Sequence, residues 1–183
     1  GDDGNCAEPR PSADASCVQD CGPPVVRQDD PPPPWRWLSP EEVAARDLGG
    51  CPRCLPIGTA IATPTGPVAV DALTAGALVW SVDGAGARVA VPVVRVGSLP
   101  TPAGHALLVI DLDDGRTVTA SAGHPTVDGG PFAAVVPGDV LDGARVVAVG
   151  RRGYDGARTY DLLPASPTRA YWADGVLIGS TLR

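Results

Sequence analysis

The chain contains no methionine and no lysine, and aromatic residues make up only 4% of its 183 residues. Because 44% of the residues are hydrophobic, valine, alanine, leucine and isoleucine must build the core, and these residues suit sheet packing better than a helix bundle. No apolar run approaches the ~20 residues needed to span a bilayer. The net charge of −7 argues against nucleic acid and anionic membrane surfaces as partners. The 23 glycines and 21 prolines indicate many turns and few long helices.

Three of the five cysteines (Cys6, Cys17 and Cys21) lie in the first 21 residues, in an acidic segment with a loop-like composition. Cysteines in such a segment fit disulfides in an exported protein better than thiols in a reducing cytosol. We therefore expect a secreted, periplasmic or cell-surface protein. The chain starts at Gly1 rather than at methionine, so we expect that an N-terminal piece was removed or left out. A lipid anchor upstream of Gly1 is compatible with this location.

The composition divides the chain into three parts. Residues 1–38 are an acidic, cysteine- and proline-rich tail that ends in PPPPWRW, a stiff polyproline stretch suited to a spacer or to an aromatic binding groove. Residues 39–53 contain a short predicted helix, because Ser39 is a favourable N-cap and the glycine pair beginning at Gly49 stops the helix. Residues 54–183 have a different composition, rich in turn-forming and β-branched residues.

From residue 54 onward, short β-branched runs alternate with turn signals such as Asp83-Gly84 and Asp114-Gly115. A weak internal similarity between residues 71–80 and 133–142 indicates a duplicated β half. The pattern predicts an all-β domain of about 130 residues. The expected strands cover residues 59–63, 77–81, 88–96, 106–112, 116–121, 145–150, 158–162 and 175–179.

The pair Cys51-x-x-Cys54 has several possible interpretations. A thioredoxin-type redox pair is disfavoured, because such a motif follows a strand and opens a helix, whereas this pair follows a predicted helix and precedes β sequence. A structural zinc site built from Cys17, Cys21 and this pair is an alternative, although the spacing is longer than usual. Disulfide pairing is the ordinary expectation for cysteines in an exported chain. Five is an odd number, so one thiol is left over.

Three segments, in order, resemble the Hint family, the self-processing domains of Hedgehog proteins, inteins and bacterial intein-like proteins. The first begins at CLPIGTAIATPTG (54–66), the second is TVTASAGHPTVDGG (117–130), and the third is TYDLLPASPTRAYWADGVLIGST (159–181). The resemblance implies one twisted all-β unit with pseudo-two-fold halves. It also implies that the first and last strands, residues 59–63 and 175–179, lie side by side.

The resemblance further implies roles for individual residues. The Cys54 thiol would attack the carbonyl of Arg53, exchanging the Arg53–Cys54 amide for a thioester. His124 occupies the position of the histidine that protonates the departing nitrogen, and an imidazole with a pKa of about 6.5 suits that task. Ser121 occupies the usual threonine position, from which a hydroxyl could twist the scissile amide. Asp161 matches an acidic position that assists near the nucleophile.

With Cys54 assigned as the nucleophile, the other four cysteines become the disulfide candidates, in one of three connectivities. A reversible bridge between Cys51 and Cys54 is an alternative that would lock processing. His105 lies outside the three segments and is interpreted as structural. The disulfide candidates are Cys6, Cys17, Cys21 and Cys51.

The C-terminal segment departs from the pattern of splicing inteins. Those domains end in His-Asn before Cys, Ser or Thr, whereas the matching residues here are Gly179, Ser180 and Thr181. Without an asparagine amide the cyclisation step has no reactant, so splicing is not expected. Arg169 stands where many inteins have a further histidine. Thr181 is a candidate acyl acceptor.

These inferences predict a domain that processes itself once rather than a turnover enzyme. Its substrate is its own N-terminal segment, and the acyl acceptor is water, a thiol or an amine. We expect a monomer that needs no cofactor or metal. The alternatives are a non-catalytic β module that displays the N-terminal tail, and a zinc-bound structural domain.

Overall fold

The computed structural model describes residues 54–183, whose regular secondary structure is almost entirely β-strand. They contain two single-turn 3₁₀ helices, at Val70–Ala72 and Phe132–Ala134, and eleven strands. The predicted all-β class is therefore confirmed. In chain order the strands are β1 (Ala60–Ile61), β2 (Val68–Ala69), β3 (Leu78–Val82), β4 (Arg88–Pro100), β5 (Ala106–Leu112), β6 (Thr117–Ser121), β7 (Val140–Leu141), β8 (Ala144–Gly153), β9 (Arg158–Pro164), β10 (Ala170–Ala173) and β11 (Val176–Gly179).

The strands form three antiparallel sheets. One has the order β11-β10-β1-β2, the second β3-β4-β9, and the third β6-β5-β8-β7. The long strand β4 serves two partners: its first residues pair with β3 and its later residues with β9, with a register shift between Val93 and Arg95. β8 likewise pairs with β7 near its start and with β5 along most of its length. Each of these long strands thus joins two partner strands within its own sheet.

The internal similarity in the sequence corresponds to repeated local structure. Each copy has a 3₁₀ turn, then a glycine six residues after the start of that turn, a short strand, and a long strand. Gly76 donates a hydrogen bond to the carbonyl of Val93, and Gly138 donates one to Val146, both at 2.8 Å. Both glycines have positive φ, 88° and 101°, which side chains rarely tolerate. This agreement supports the predicted pseudo-two-fold halves.

The core consists mainly of branched aliphatic side chains, as the shortage of aromatic residues requires. Phe132 and Tyr171 are the largest fully buried side chains within it. Trp80 and Trp172 are only half buried, and the guanidinium of Arg88 lies over both rings, 4.3 and 5.2 Å from their centroids. Indole faces attract such a cation, so both tryptophan rings stabilise the exposed Arg88 side chain.

The expectation that the first and last strands are neighbours is wrong in detail. β1 and β11 belong to the same sheet, but β10 lies between them and pairs with both. The reason is local: Asp174 and Gly175 have φ values of 50° and 79°, which make a tight hairpin turn that pairs β11 with β10.

Several predictions lie outside the described residues. They concern the tail (1–38), the helix and its flank (39–53), the scissile-bond residue Arg53, and the disulfide candidates Cys6, Cys17, Cys21 and Cys51. Within residues 54–183, no helix is both long and apolar enough to cross a membrane.

Candidate functional site

Cys54 lies in a buried position against strand β9. Only 4% of its surface is exposed. The next residue, Leu55, exchanges two backbone hydrogen bonds with Tyr160, at 2.7 and 2.8 Å. In an antiparallel bridge the flanking residues face each other, so Cys54 lies opposite Asp161. A fully buried aliphatic side chain at Leu55 anchors this arrangement in the core.

Ser121, the last residue of β6, holds the carbonyl of Cys54 with two hydrogen bonds. Its backbone N–H donates at 3.0 Å and its hydroxyl at 2.8 Å. Ser121 is fully buried. The contact is with the Cys54–Leu55 peptide, on the C-terminal side of the candidate nucleophile. The predicted action of Ser121 on the Arg53–Cys54 amide stays a prediction, because Arg53 is outside the described residues.

His124 follows Ser121 in a tight turn that keeps both residues at the same end of β6. The backbone N–H of His124 donates to the Ser121 carbonyl at 2.9 Å, and its own carbonyl accepts from Phe132 at 2.9 Å. The ring is fully buried and meets the ring of Phe132 edge-on, with 5.6 Å between centroids. The turn therefore places a buried imidazole next to the residue that holds Cys54.

Asp161 is a fully buried carboxylate that connects β9, β10 and the C-terminal segment. Its Oδ1 accepts hydrogen bonds from the Leu162 N–H at 2.7 Å and from the Tyr171 hydroxyl. Its Oδ2 accepts from the Thr181 N–H at 2.6 Å and from the Thr181 hydroxyl, and Ser180 Oγ lies 3.5 Å away. Such a set of donors is what an ionised carboxylate requires in a buried place.

Tyr171 is a site residue that the sequence did not single out. Burial, followed by the nearby charges of Asp161 and Cys54, raises the pKa of its hydroxyl well above 10. The phenol therefore stays protonated and acts as a hydrogen-bond donor. Its hydrogen bond to Asp161 joins the phenol to the carboxylate that lies opposite Cys54. A buried tyrosine hydroxyl needs a hydrogen-bond partner, and this requirement is the feature of Tyr171 that could have pointed to the site.

His105 also reaches the site, although its sequence position suggested only a structural role. Its Nε2 lies 3.1 Å from Ser121 Oγ. The side chain is buried, and burial lowers the pKa of the imidazole below its usual value.

The C-terminal segment packs tightly on the His124 segment. Gly179 donates a hydrogen bond to the Pro125 carbonyl at 3.2 Å, and a Cβ at this position would come within 2.9 Å of the Thr126 carbonyl oxygen. The position therefore requires glycine. Arg169 is exposed, with a φ of 55°, and its carbonyl accepts a hydrogen bond from the Ser180 N–H at 2.9 Å.

The described part of the chain contains no group of three or more histidine, cysteine, aspartate or glutamate side chains that could hold a metal ion. Of the four cysteines in the alternative zinc site, only Cys54 is among the described residues. Its neighbours there are serine, tyrosine and aspartate groups, which suit hydrogen bonding and acyl chemistry.

No protein-family model matches the chain, and no curated protein matches it. Solved structures do. A bacterial intein-like domain from Clostridium thermocellum has a TM-score of 0.59 and 21% identity, covering 69% of this chain and 98% of that domain. A DnaB intein from Synechocystis has a TM-score of 0.60 and 15% identity, covering 70% of this chain and 99% of the intein. The domain thus has the Hint fold of intein-type domains, and the resemblance seen in the sequence is confirmed at the level of the fold.

Proposed function

We propose that this domain processes its own chain by an N→S acyl shift at Arg53–Cys54, and then releases or transfers the preceding segment without splicing. One observation carries the proposal: Ser121 clamps the Cys54 carbonyl in a buried place, Asp161 lies opposite, and His124 follows in the adjacent turn. These residues come from segments far apart in sequence. A β module that only displays a tail has no need for such a convergence.

The acyl shift is an isomerisation, so it needs no external reactant. Cys54 Sγ bonds to the Arg53 carbonyl carbon, the carbon–nitrogen bond breaks, and the thiol proton ends on the released α-amine of Cys54. We assign His124 to deliver the proton to the departing nitrogen, because an amide nitrogen leaves poorly without one.

The residues at the C-terminus support release or transfer rather than splicing. Ser180 stands where splicing domains have the cyclising asparagine, and a hydroxymethyl group cannot form a succinimide. The Thr181 hydroxyl donates to the same Asp161 oxygen that its N–H contacts. A carboxylate in this position can take the hydroxyl proton, so Thr181 is the internal acceptor we propose, with water, a thiol or an amine as external acceptors.

We also propose that the substrate is residues 1–53 of the same chain and that a monomer suffices. The buried position of Cys54 supports this, because a nucleophile with only 4% of its surface exposed is reached most directly by its own preceding residue. The acidic, cysteine-rich tail supports an oxidising, extracytoplasmic location.

The test is the intact mass of the full chain, incubated with and without hydroxylamine or dithiothreitol. We expect two fragments, residues 1–53 and 54–183, because these nucleophiles drain the thioester irreversibly. Cys54→Ala should stay whole. Ser180→Ala is a matched control: it removes a hydroxyl of the same site without removing a proposed reactant, so it should cleave as the parent does. A folded parent chain that stays whole for days in strong thiol would contradict the proposal and favour the display module.

A further inference from the structure

We propose that His105 is a positioning residue that fixes the direction of the Ser121 hydroxyl and so holds the Cys54 peptide ready for reaction. This inference rests on the proposed self-processing at Arg53–Cys54. It adds to that reaction a histidine that lies outside the segments carrying the resemblance.

The register of the β5–β6 hairpin brings His105 to Ser121. Leu107 lies directly opposite Ser121, and both side chains therefore point to the same face of the sheet. His105 lies two residues before Leu107 and continues the same face, diagonal to Ser121. Diagonal neighbours in an antiparallel pair are within reach of long side chains. The observed distance of 3.1 Å between His105 Nε2 and Ser121 Oγ follows from this placement.

A count of protons determines the direction of the chain of hydrogen bonds. The serine hydroxyl has one proton, and the Cys54 carbonyl can only accept. Because Ser121 Oγ lies 2.8 Å from that carbonyl oxygen, its proton must point there. His105 can then bond to Ser121 only by donating from Nε2–H. The order is therefore His105 Nε2–H to Ser121 Oγ–H to the Cys54 carbonyl.

The surroundings hold the His105 ring in place for this purpose. The His105 N–H donates to the Pro102 carbonyl at 3.2 Å, and the His105 carbonyl accepts from the Tyr154 N–H at 2.9 Å. The ring meets the Tyr154 ring edge-on, with 6.2 Å between centroids. The Tyr154 hydroxyl accepts from the Ile57 N–H at 3.0 Å, so the same support also touches the chain just after Cys54.

Fixing the hydroxyl has a consequence for rate. A serine hydroxyl rotates easily, and an incoming N–H both restricts that rotation and polarises the O–H toward its own acceptor. Without His105 the hydroxyl can turn away, and the Cys54 carbonyl keeps only its bond from the Ser121 backbone. Losing one neutral hydrogen bond changes a rate by roughly two- to twelvefold.

The first experiment measures hydroxylamine-induced cleavage of the full chain. His105→Leu should slow cleavage roughly three- to tenfold. The double variant with Ser121→Ala should be no slower than Ser121→Ala alone, because His105 acts through that hydroxyl. His105→Gln keeps an N–H donor and should recover most of the rate. Ile110→Val controls for lost packing in strand β5, which begins directly after His105, and should not slow cleavage.

Three outcomes of this experiment would overturn the proposal. One is a His105→Leu rate equal to that of the parent chain. Another is a rate loss that adds fully to that of Ser121→Ala. The last is a loss that Ile110→Val reproduces at a similar drop in melting temperature, which would make His105 merely structural.

The second experiment detects the hydrogen bond between His105 and Ser121 by NMR, in protein that cannot cleave. The chain has two histidines, and the signals missing from the spectrum of His105→Leu are those of the His105 ring. In ¹⁵N-labelled Cys54→Ala protein at neutral pH, the His105 ring should be neutral with its proton on Nε2, and Ser121→Ala should shift that signal. A proton on Nδ1 alone would overturn the proposal. A parent chain that never cleaves would instead defeat the proposed function, and the positioning role with it, whatever the tautomer.

Discussion

Replacing Tyr171 by phenylalanine removes one hydroxyl from the centre of the site and leaves the aromatic ring in the core. The lost group donates to Asp161 Oδ1, whose other described partner is the Leu162 N–H. A hydrogen bond to a charged acceptor contributes about 1.5–3 kcal/mol. Because the ring still fills its place, cavity formation adds little. We expect the free energy of unfolding at pH 7 to fall by about 2 kcal/mol.

The same variant should also change the response to alkaline pH. The pKa of Tyr171 is raised in the folded protein above its unfolded value of about 10, so its stabilising contribution is complete below pH 10 and is lost as the pH rises toward the folded pKa. The parent should therefore lose about 1.4 kcal/mol more than Tyr171→Phe between pH 9 and pH 11. The stability difference between the two proteins should narrow over that range.

Urea denaturation measures both effects. Parent and variant are compared in a Cys54→Ala background at pH 7, 9 and 11, which removes cleavage and the thiol titration together. Equal unfolding free energies at pH 7 would refute the proposed bond to Asp161. A difference that stays constant up to pH 11 would refute the raised pKa and the buried, protonated phenol.

Three further predictions follow from the site. His124→Ala should slow cleavage roughly 10²–10⁴-fold with an unchanged circular dichroism spectrum, because it removes the proposed proton donor. Gly179→Ala should lower the free energy of unfolding by about 1–3 kcal/mol in urea, because its Cβ would come within 2.9 Å of a backbone carbonyl oxygen. In native, non-reduced protein only Cys54 should be alkylated, as mapped by peptide mass spectrometry. A stable Cys51–Cys54 bridge in cleavage-competent protein would contradict that prediction.

Sequence patterns were sufficient for the fold class and for the repeated halves, because both depend on local signals. Alternating apolar residues and glycine turns specify short strands wherever they occur. The strand at 170–173 was missed, and the missing strand explains the wrong neighbour for β1. The strand at 170–173 is short, but the Asp174-Gly175 turn signal that follows it indicates a hairpin and could have predicted it.

The site was only partly predictable, because its contacts depend on register. Ser121 and Asp161 could be assigned through motifs that resemble known segments, and the structure brings both to Cys54. His105 lies outside those segments, and Tyr171 lies within the third segment at a position to which the resemblance gives no role. A one-residue slip of β5 against β6 would turn His105 away from Ser121, and sequence alone does not fix that register.

The placement of the site across several strands has a mechanistic consequence. Ser121 and His124 come from β6 and the turn after it, whereas Asp161 and Tyr171 come from β9 and β10, and Cys54 lies between them. In the proposed reaction the substrate is the chain itself, so no separate binding pocket is needed, and the reacting groups meet at a high effective concentration once these strands are folded together. Processing should therefore depend on the intact fold. An unfolded chain has the same thiol and the same amide, but it lacks the clamp on the Cys54 carbonyl.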